Sequence, residues 1–374
     1  MNKIVFVVNN ANYFISHRLT IGLALLAKGV EVHVVAPGEC PRVLSEAGFI
    51  YHSVSMSRKG MNPFSEFSSI FSLYRIFRKI QPDLVHLVTI KPYLYGGIAA
   101  RLAGVPSVVS AVAGLGILFS GQGIKNKILR SILFPFYRIA FNHINQAVIF
   151  QNSNDRDLLV DWGVLRSDKA RLIRGAGVDL KNYPFLPEPH GIPVISFAGR
   201  LLKDKGVEEF IDASRILKQR NVEASFWLIG EPDLGNSNTV THDQLDMWVS
   251  EGLVECLGYR ADIAHLFSQS NIVSLPSYYG EGLPKVLIEA AACGRAVITT
   301  DHPGCRDAIE PDTGVLIPIR NSERLADALQ DLIMNSDKRT AMGSAGRVLA
   351  QREFSIEKIV NHHFKIYRDL MDNK

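Results

Sequence analysis

The sequence predicts an α/β protein built from two doubly wound parallel-sheet domains, and three observations carry that expectation. Apolar runs of strand length, such as Ile4–Val8 and Ile272–Leu275, recur along the 374 residues without the polar alternation of a half-exposed strand. Amphipathic helical stretches separate them, so successive strands are joined by crossovers and lie parallel. One dense proline run, Tyr183-Pro-Phe-Leu-Pro-Glu-Pro-His-Gly-Ile-Pro193, divides the chain. The expected organisation is therefore a first domain at 1–183, a linker at 184–193, a second domain at 194–354 and a terminal helix at 355–374.

Taken in order, Ile4–Val8 opens the first domain, and Leu19, Leu23, Leu26 and Ala27 follow at helical spacing. The stretch between them, Asn9 to Arg18, contains no glycine, so the dinucleotide fingerprint is missing and an NAD enzyme is disfavoured. Ser16 is placed to cap that helix, which puts His17 and Arg18 at its start as candidates for an acceptor phosphate. A surface histidine and an ordinary ion pair are the plain alternatives. Val32–Ala36 and Leu84–Val88 read as further strands, with an amphipathic helix over Phe64–Ile80 turning Phe67, Ile70, Phe71, Tyr74 and Phe77 inward. Ser107–Val112 is a buried strand whose following glycines, Gly114 and Gly116, allow a ligand to approach the backbone.

Composition sets bounds on function. Residues 1–190 carry 21 Lys and Arg against 11 Asp and Glu, a charge of +10, whereas the remainder carries 20 against 26, a charge of −6. A basic domain without nucleic-acid motifs suits an anionic membrane surface or a phosphate-bearing substrate. In Leu118–Ile144, Lys125, Lys127 and Arg130 are interleaved with Ile128, Ile132, Phe134 and Phe136, the pattern of an interfacial helix; a core helix with a basic outer face is the alternative. Four scattered cysteines without a C-x-x-C spacing indicate neither a disulfide framework nor a zinc site. The N-terminal apolar run is too short for a signal-peptide core, so the expectation is a cytoplasmic chain lying peripherally on the inner membrane face.

The most informative stretch is Ile272–Asp301, read as strand, loop, helix and strand. In open parallel sheets ligands lie beyond the carboxyl ends of the strands, which makes the loop Ser277–Leu283 a candidate site. Gly282, Leu283 and Pro284 lead into the helix, whose start favours a phosphate, and Glu281 and Glu289 flank it. Carboxylates accept hydrogen bonds from sugar hydroxyls, so the arrangement suits a nucleotide diphosphate sugar. The plain alternative is a helix-start Glu281 and a solvated Glu289. Arg200 and Lys205, after the strand Val194–Ala198, are suited to diphosphate oxygens, and Asp262 is placed to cap a helix after Leu257-Gly-Tyr-Arg260.

The run Glu281-Gly-Leu-Pro-Lys-Val-Leu-Ile-Glu289 resembles the Glu-x7-Glu motif of the retaining family 4 glycosyltransferases. Ala198-Gly-Arg200 with Lys205-Gly-Val207, Leu257-Gly258 with Asp262-Ile263, and Thr313-Gly314 with Pro318 match in the same order. The resemblance covers nearly the whole chain and points to the branch that assembles bacterial surface polysaccharides. It implies the GT-B fold, two domains facing across a cleft, with the terminal helix crossing back onto the first through Phe354, Ile359, Phe364, Tyr367 and Leu370. Glu289 is then expected on ribose hydroxyls, Glu281 on the donor sugar, Arg200 and Lys205 on the diphosphate, and Tyr259 or Arg260 beside the base. No cofactor or metal is required. The partners implied are a UDP-linked N-acetylhexosamine, a glycan on a polyprenyl diphosphate and an anionic membrane, with no nucleic acid. This sequence departs from the family in lacking a histidine between His86 and His143, where members contact the donor sugar. The rival readings are a nucleotide-sugar epimerase on the same fold and a non-catalytic glycolipid-binding subunit.

Overall fold

The computed structural model describes residues 1–56, 63–115 and 124–372, the side chains of 63–65 and 124–125 excepted. Gly116 and the Lys125 side chain lie outside the described residues. The chain divides into two units, Met1–Ala176 with Glu357–Lys374, and Gly177–Ile356.

Unit 1 has the parallel strands β1 (Lys3–Val7), β2 (Glu31–Ala36), β3 (Ile50–Ser53), β4 (Leu84–Val88), β5 (Ser107–Val112), β6 (Gln146–Phe150) and β7 (Ala170–Leu172), in the order β3-β2-β1-β4-β5-β6-β7. Alternate residues of β1 enter different apolar layers, Val5 and Val7 one, Ile4 and Phe6 the other, which is why the strand reads as apolar throughout. Unit 2 has β8 (Val194–Ala198), β9 (Ser225–Ile229), β10 (Glu255–Gly258), β11 (Ile272–Leu275), β12 (Ala296–Thr300) and β13 (Gly314–Ile317), again parallel, in the order β10-β9-β8-β11-β12-β13. Both orders reverse beside the unit's first strand. In such sheets the crevice that takes a ligand opens where the order reverses, after β1 and β4 in one unit and after β8 and β11 in the other.

Several local expectations are corrected. Ser16 does not cap the helix that carries Leu19 and Leu23: it lies inside an earlier helix, its Oγ donating to the Asn12 carbonyl at 2.9 Å, and that earlier helix is capped by Asn10, which accepts from the Asn12 N–H at 2.8 Å. That helix, Ala11–His17, ends at Arg18, and a second, Leu19–Leu26, begins there. On the helix Pro63–Ile80 the buried stripe is Leu73, Phe77 and Ile80, while Phe67 and Phe71 are exposed. Residues 177–183 belong to unit 2, because Val178 bonds Phe354 and Ile356 through its backbone. The proline run is bound to the same unit: Arg295 donates to the Leu186 carbonyl at 2.8 Å and Glu188 pairs with Arg339 at 2.8 Å. Phe354 lies in the core of unit 2, while Ile359, Phe364, Tyr367 and Leu370 of the helix Ile356–Asp372 pack in unit 1.

That last helix meets β4 through a buried polar cluster. The ring of His86 lies between Phe6 and His363, at centroid distances of 5.0 and 5.7 Å, and its Nδ1 is 2.6 Å from the Tyr367 hydroxyl. His363 Nδ1 donates to the Ile359 carbonyl at 2.8 Å, four residues back. Burial and the nearby Arg18 guanidinium hold both histidines neutral, His86 well below the usual range and His363 down to about 3. Their folded pKa values are depressed, so below pH 6.5 the unfolded chain takes up protons that the folded one refuses. Stability is therefore full above pH 6.5 and falls as pH drops, by about 1.4 kcal/mol per histidine at pH 5.5. Urea unfolding at pH 7.5 and 5.5 should show this loss, and His363→Phe should remove about half of it; a flat profile would contradict the assignment.

Candidate functional site

In unit 2 the loops after β8 and β11 are bolted together by main-chain contacts. The Asp204 carbonyl accepts from the Tyr278 N–H at 2.9 Å and from Ser277 Oγ at 3.3 Å. Gly206, between the turn Lys203–Lys205 and the helix Val207–Gln219, has φ +81°, and a Cβ there would stand 2.2 Å from the Pro276 carbonyl oxygen. Only glycine relieves both constraints. On the far side Thr300 Oγ1 donates to the Ser277 carbonyl, and a Cβ on Gly304 would meet the carbonyl oxygens of Glu281 and Gly282 at 2.6 Å.

This packing sets Lys205 against Glu281. The ammonium contacts Glu281 Oε1, Ser277 Oγ lies 3.2 Å from the same oxygen, and Lys205 Nζ is 5.6 Å from the centre of the Tyr279 ring. Both charged groups are mostly buried, so Glu281 is no solvated helix-start residue. Arg200 pairs with Asp233 at 2.8 Å. The loop carrying Asp233 is held against the β8 loop, since Thr239 Oγ1 and the Val240 N–H both donate to the Leu201 carbonyl. The polar composition of Glu231–Asn238 suggests a loop able to fold over a cleft and that of Ser237–Thr241 a mobile segment, but these bonds anchor the latter. Burial pushes the Cys305 thiol up to about 12, with Glu281 adding to the effect, so it stays protonated and is no nucleophile.

The helix Lys285–Ala292 begins after Pro284 with no side-chain cap. Leu283 is buried in the core, and Gly282 before it is buried as well. Glu289 is only 8% exposed, contrary to the solvated reading. Its Oε1 accepts from the Tyr183 hydroxyl at 2.5 Å and lies 3.0 Å from Lys285 Nζ. Burial, and then the Glu289 charge, push the Tyr183 hydroxyl far above its usual pKa and keep it a donor. After β10, Tyr259 is 75% exposed, and Arg260 pairs with Asp262 at 2.5 Å. Because that carboxylate is engaged by Arg260, Asp262 makes no side-chain cap for the helix Ile263–Ser268, contrary to expectation.

In unit 1 the candidates fare differently. Arg18 is 2% exposed, its Nε has no partner and its Nη1 lies 3.4 Å from the His17 carbonyl. Burial therefore removes it as a surface ligand for phosphate. His17 is half-buried, its ring stacked on Tyr13 at 4.1 Å. Gly114 has φ +102° and follows β5. Thr89, after β4, was not marked by sequence, yet adopts φ +76° and ψ 167°, a conformation that costs a β-branched residue on the order of 1–3 kcal/mol. On the helix Ile124–Ala140, Lys127 is exposed and Arg130 half-buried, and Ile128, Ile132, Phe136 and Ile139 form an exposed apolar stripe. No helix among the described residues is long and apolar enough to cross a membrane.

Residues 181–349 match the family model of the glycosyl transferases group 1, and residues 3–152 match that of the glycosyl transferase 4-like proteins. The chain is 28% identical over 372 residues to the N,N'-diacetylbacillosaminyl-diphospho-undecaprenol alpha-1,3-N-acetylgalactosaminyltransferase of Campylobacter jejuni, covering 95% of this chain and 96% of that one. It is 26% identical over 327 residues to an Escherichia coli UDP-Gal:alpha-D-GlcNAc-diphosphoundecaprenol alpha-1,3-galactosyltransferase, covering 83% and 81%. Among solved structures, Anabaena HepE in complex with UDP and glucose superposes with a TM-score of 0.78 at 19% identity, covering 98% of this chain and all of that one. The sucrose-phosphate synthase of Thermosynechococcus elongatus gives 0.81 at 20% identity, with complete coverage of both chains. At such identities the superpositions speak for the fold.

Gly206→Ala tests the junction of the two loops. It should lower the melting temperature by an amount equivalent to about 2 kcal/mol or more and reduce activity at least tenfold, measured by calorimetry and turnover. A variant as stable and active as the parent would show that the apposition does not hold the site.

Proposed function

As the chain belongs to the group 1 and 4-like glycosyl transferases and has their GT-B fold, we propose that it moves a sugar, with retention of configuration and without a metal, from a nucleotide diphosphate sugar to a glycan on a polyprenyl diphosphate. The observation that carries this reading is the junction in unit 2, where Lys205 and Glu281 meet beside an uncapped helix start. The products would serve O-antigen, capsule or related surface glycans. The names of the Campylobacter and Escherichia relatives support a diphospho-undecaprenol acceptor, and the former supports an N-acetylhexosamine, here proposed to arrive as the UDP-sugar.

In the proposed mechanism Arg200 and Lys205 stabilise the charge that develops on the departing diphosphate as the anomeric bond breaks, the role a metal fills in other transferases. Glu281 accepts hydrogen bonds from the donor sugar and Glu289 from the ribose. The start of the helix at Lys285, with the backbone of Gly282, Leu283 and Pro284, faces the diphosphate, and the exposed Tyr259 stacks on the base with Arg260 at its flank. The acceptor hydroxyl attacks the anomeric carbon from the face the leaving group departs from and hands its proton to the departing diphosphate oxygen, so positioning supplies much of the barrier reduction. For the acceptor we propose contacts in unit 1 from Thr89 after β4, Gly114 after β5 and the half-buried His17 at the end of the first helix.

Incubating the purified protein with UDP-N-acetylhexosamine and a polyprenyl-diphosphate glycan should give a product one residue larger, of unchanged anomeric configuration by NMR. Excess chelator should leave the rate intact, and Lys205→Ala should lower kcat by about 100-fold or more. Inversion, or chelator-sensitive turnover restored by magnesium, would overturn the corresponding part of the reading.

A peripheral position on an anionic membrane is supported by the apolar stripe Ile128, Ile132, Phe136 and Ile139 beside the basic Lys127 and Arg130. Each basic residue near the bilayer should contribute about 1 kcal/mol, lost as salt shortens the Debye length. Replacing Lys125, Lys127 and Arg130 with Ser should release the protein from anionic liposomes at low salt while donor affinity is unchanged. Equal sedimentation of the parent and the triple variant would remove the membrane from the account.

A further inference from the structure

We infer that Tyr183 is a positioning residue for nucleotide recognition, acting through Glu289; the inference rests on the reading of Glu289 as the ribose ligand. Tyr183 lies 106 residues before Glu289, yet its hydroxyl donates to Glu289 Oε1 at 2.5 Å. Lys285 Nζ approaches the same oxygen at 3.0 Å. Burying a carboxylate this far is costly unless it is paired and hydrogen-bonded, and these partners offset that cost. Among the described residues no group bonds the other oxygen, Oε2, and it is not closed off from solvent. One carboxylate oxygen is thus spent on the protein, which fixes the plane of the group and aims the second oxygen outward as an acceptor for a vicinal diol.

The tyrosine is itself held from behind. Arg347 Nη1 donates to the Tyr183 carbonyl at 2.8 Å and to the Ala292 carbonyl at 2.5 Å, tying Tyr183 to the end of the helix that carries Glu289. Two residues on, the Phe185 ring lies where a Cβ on Gly294 would stand at 2.2 Å, so the segment seats on that helix end only because residue 294, at φ +68°, is glycine. The hydroxyl therefore approaches Glu289 from a rigid support, and its loss takes away a hydrogen bond without opening the core.

The test compares UDP with 2′,3′-dideoxyuridine diphosphate, which lacks the diol, by calorimetry on the full chain. Tyr183→Phe should weaken UDP about tenfold, in the range for a hydrogen bond to a charged group, and leave the dideoxy nucleotide unchanged. In a Glu289→Gln background, Tyr183→Phe should add no further loss on UDP. A melting temperature within a few degrees of the parent keeps the comparison valid, and Tyr183→Leu, which also fails to donate, should reproduce the selective loss. If Tyr183→Phe changes both nucleotides equally, or neither, the positioning role is wrong although Glu289→Gln still erases the preference for the diol. If Glu289→Gln leaves that preference intact, the ribose reading fails and takes the Tyr183 inference with it.

Discussion

The contact between the β8 and β11 loops is what the proposed chemistry depends on. The reversal of strand order places those loops side by side, and the Asp204 carbonyl, bonded by both Ser277 and Tyr278, closes the gap between them. Gly206 has to be glycine for the approach to occur at all. Once the backbones touch, Lys205 and Glu281 have little choice of position: a cation from one loop and a carboxylate from the other meet in a mostly buried setting. The attraction between such charges is offset by their desolvation, so the pair is better understood as fixing geometry than as adding stability.

The charges in unit 2 are arranged in answered pairs, Lys205 with Glu281, Arg200 with Asp233, Lys285 with Glu289. A diphosphate arriving there would find cations already oriented by carboxylates. Little reorganisation would then be needed when charge develops on the leaving group, which is the condition under which fixed charges are most effective. Unit 1 contrasts with this: its buried Arg18 has two neutral histidines and a tyrosine around it and serves the join between β4 and the last helix.

What could be read from sequence follows from burial. Strands buried on both faces, such as Leu84–Val88 and Ile272–Leu275, are dominated by apolar residues, and their bounds match the sequence reading to the residue. At the sheet edges β3, β10 and β13 lack that signal, because half-exposed sequences like Glu255-Cys-Leu-Gly258 do not form an apolar run. The loop motifs of unit 2 were legible because Glu281, Gly282 and Glu289 sit close in the chain, as do Arg200 and Lys205. Their partners were not: Tyr183 and Asp233 reach Glu289 and Arg200 from 106 and 33 residues away, and only the fold brings them in. The surroundings of Arg18 are illegible for the same reason, since His363 and Tyr367, which feel its charge, come from the other end of the chain.

The central claim is that the paired loops of unit 2 form the donor site, and a crystal structure with a bound UDP-sugar tests it most directly. The account predicts diphosphate oxygens within hydrogen-bond distance of Arg200 and Lys205, ribose hydroxyls on the free oxygen of Glu289, and sugar hydroxyls on Glu281. Density for the nucleotide elsewhere, out of reach of Arg200, Lys205, Glu281 and Glu289, would contradict it.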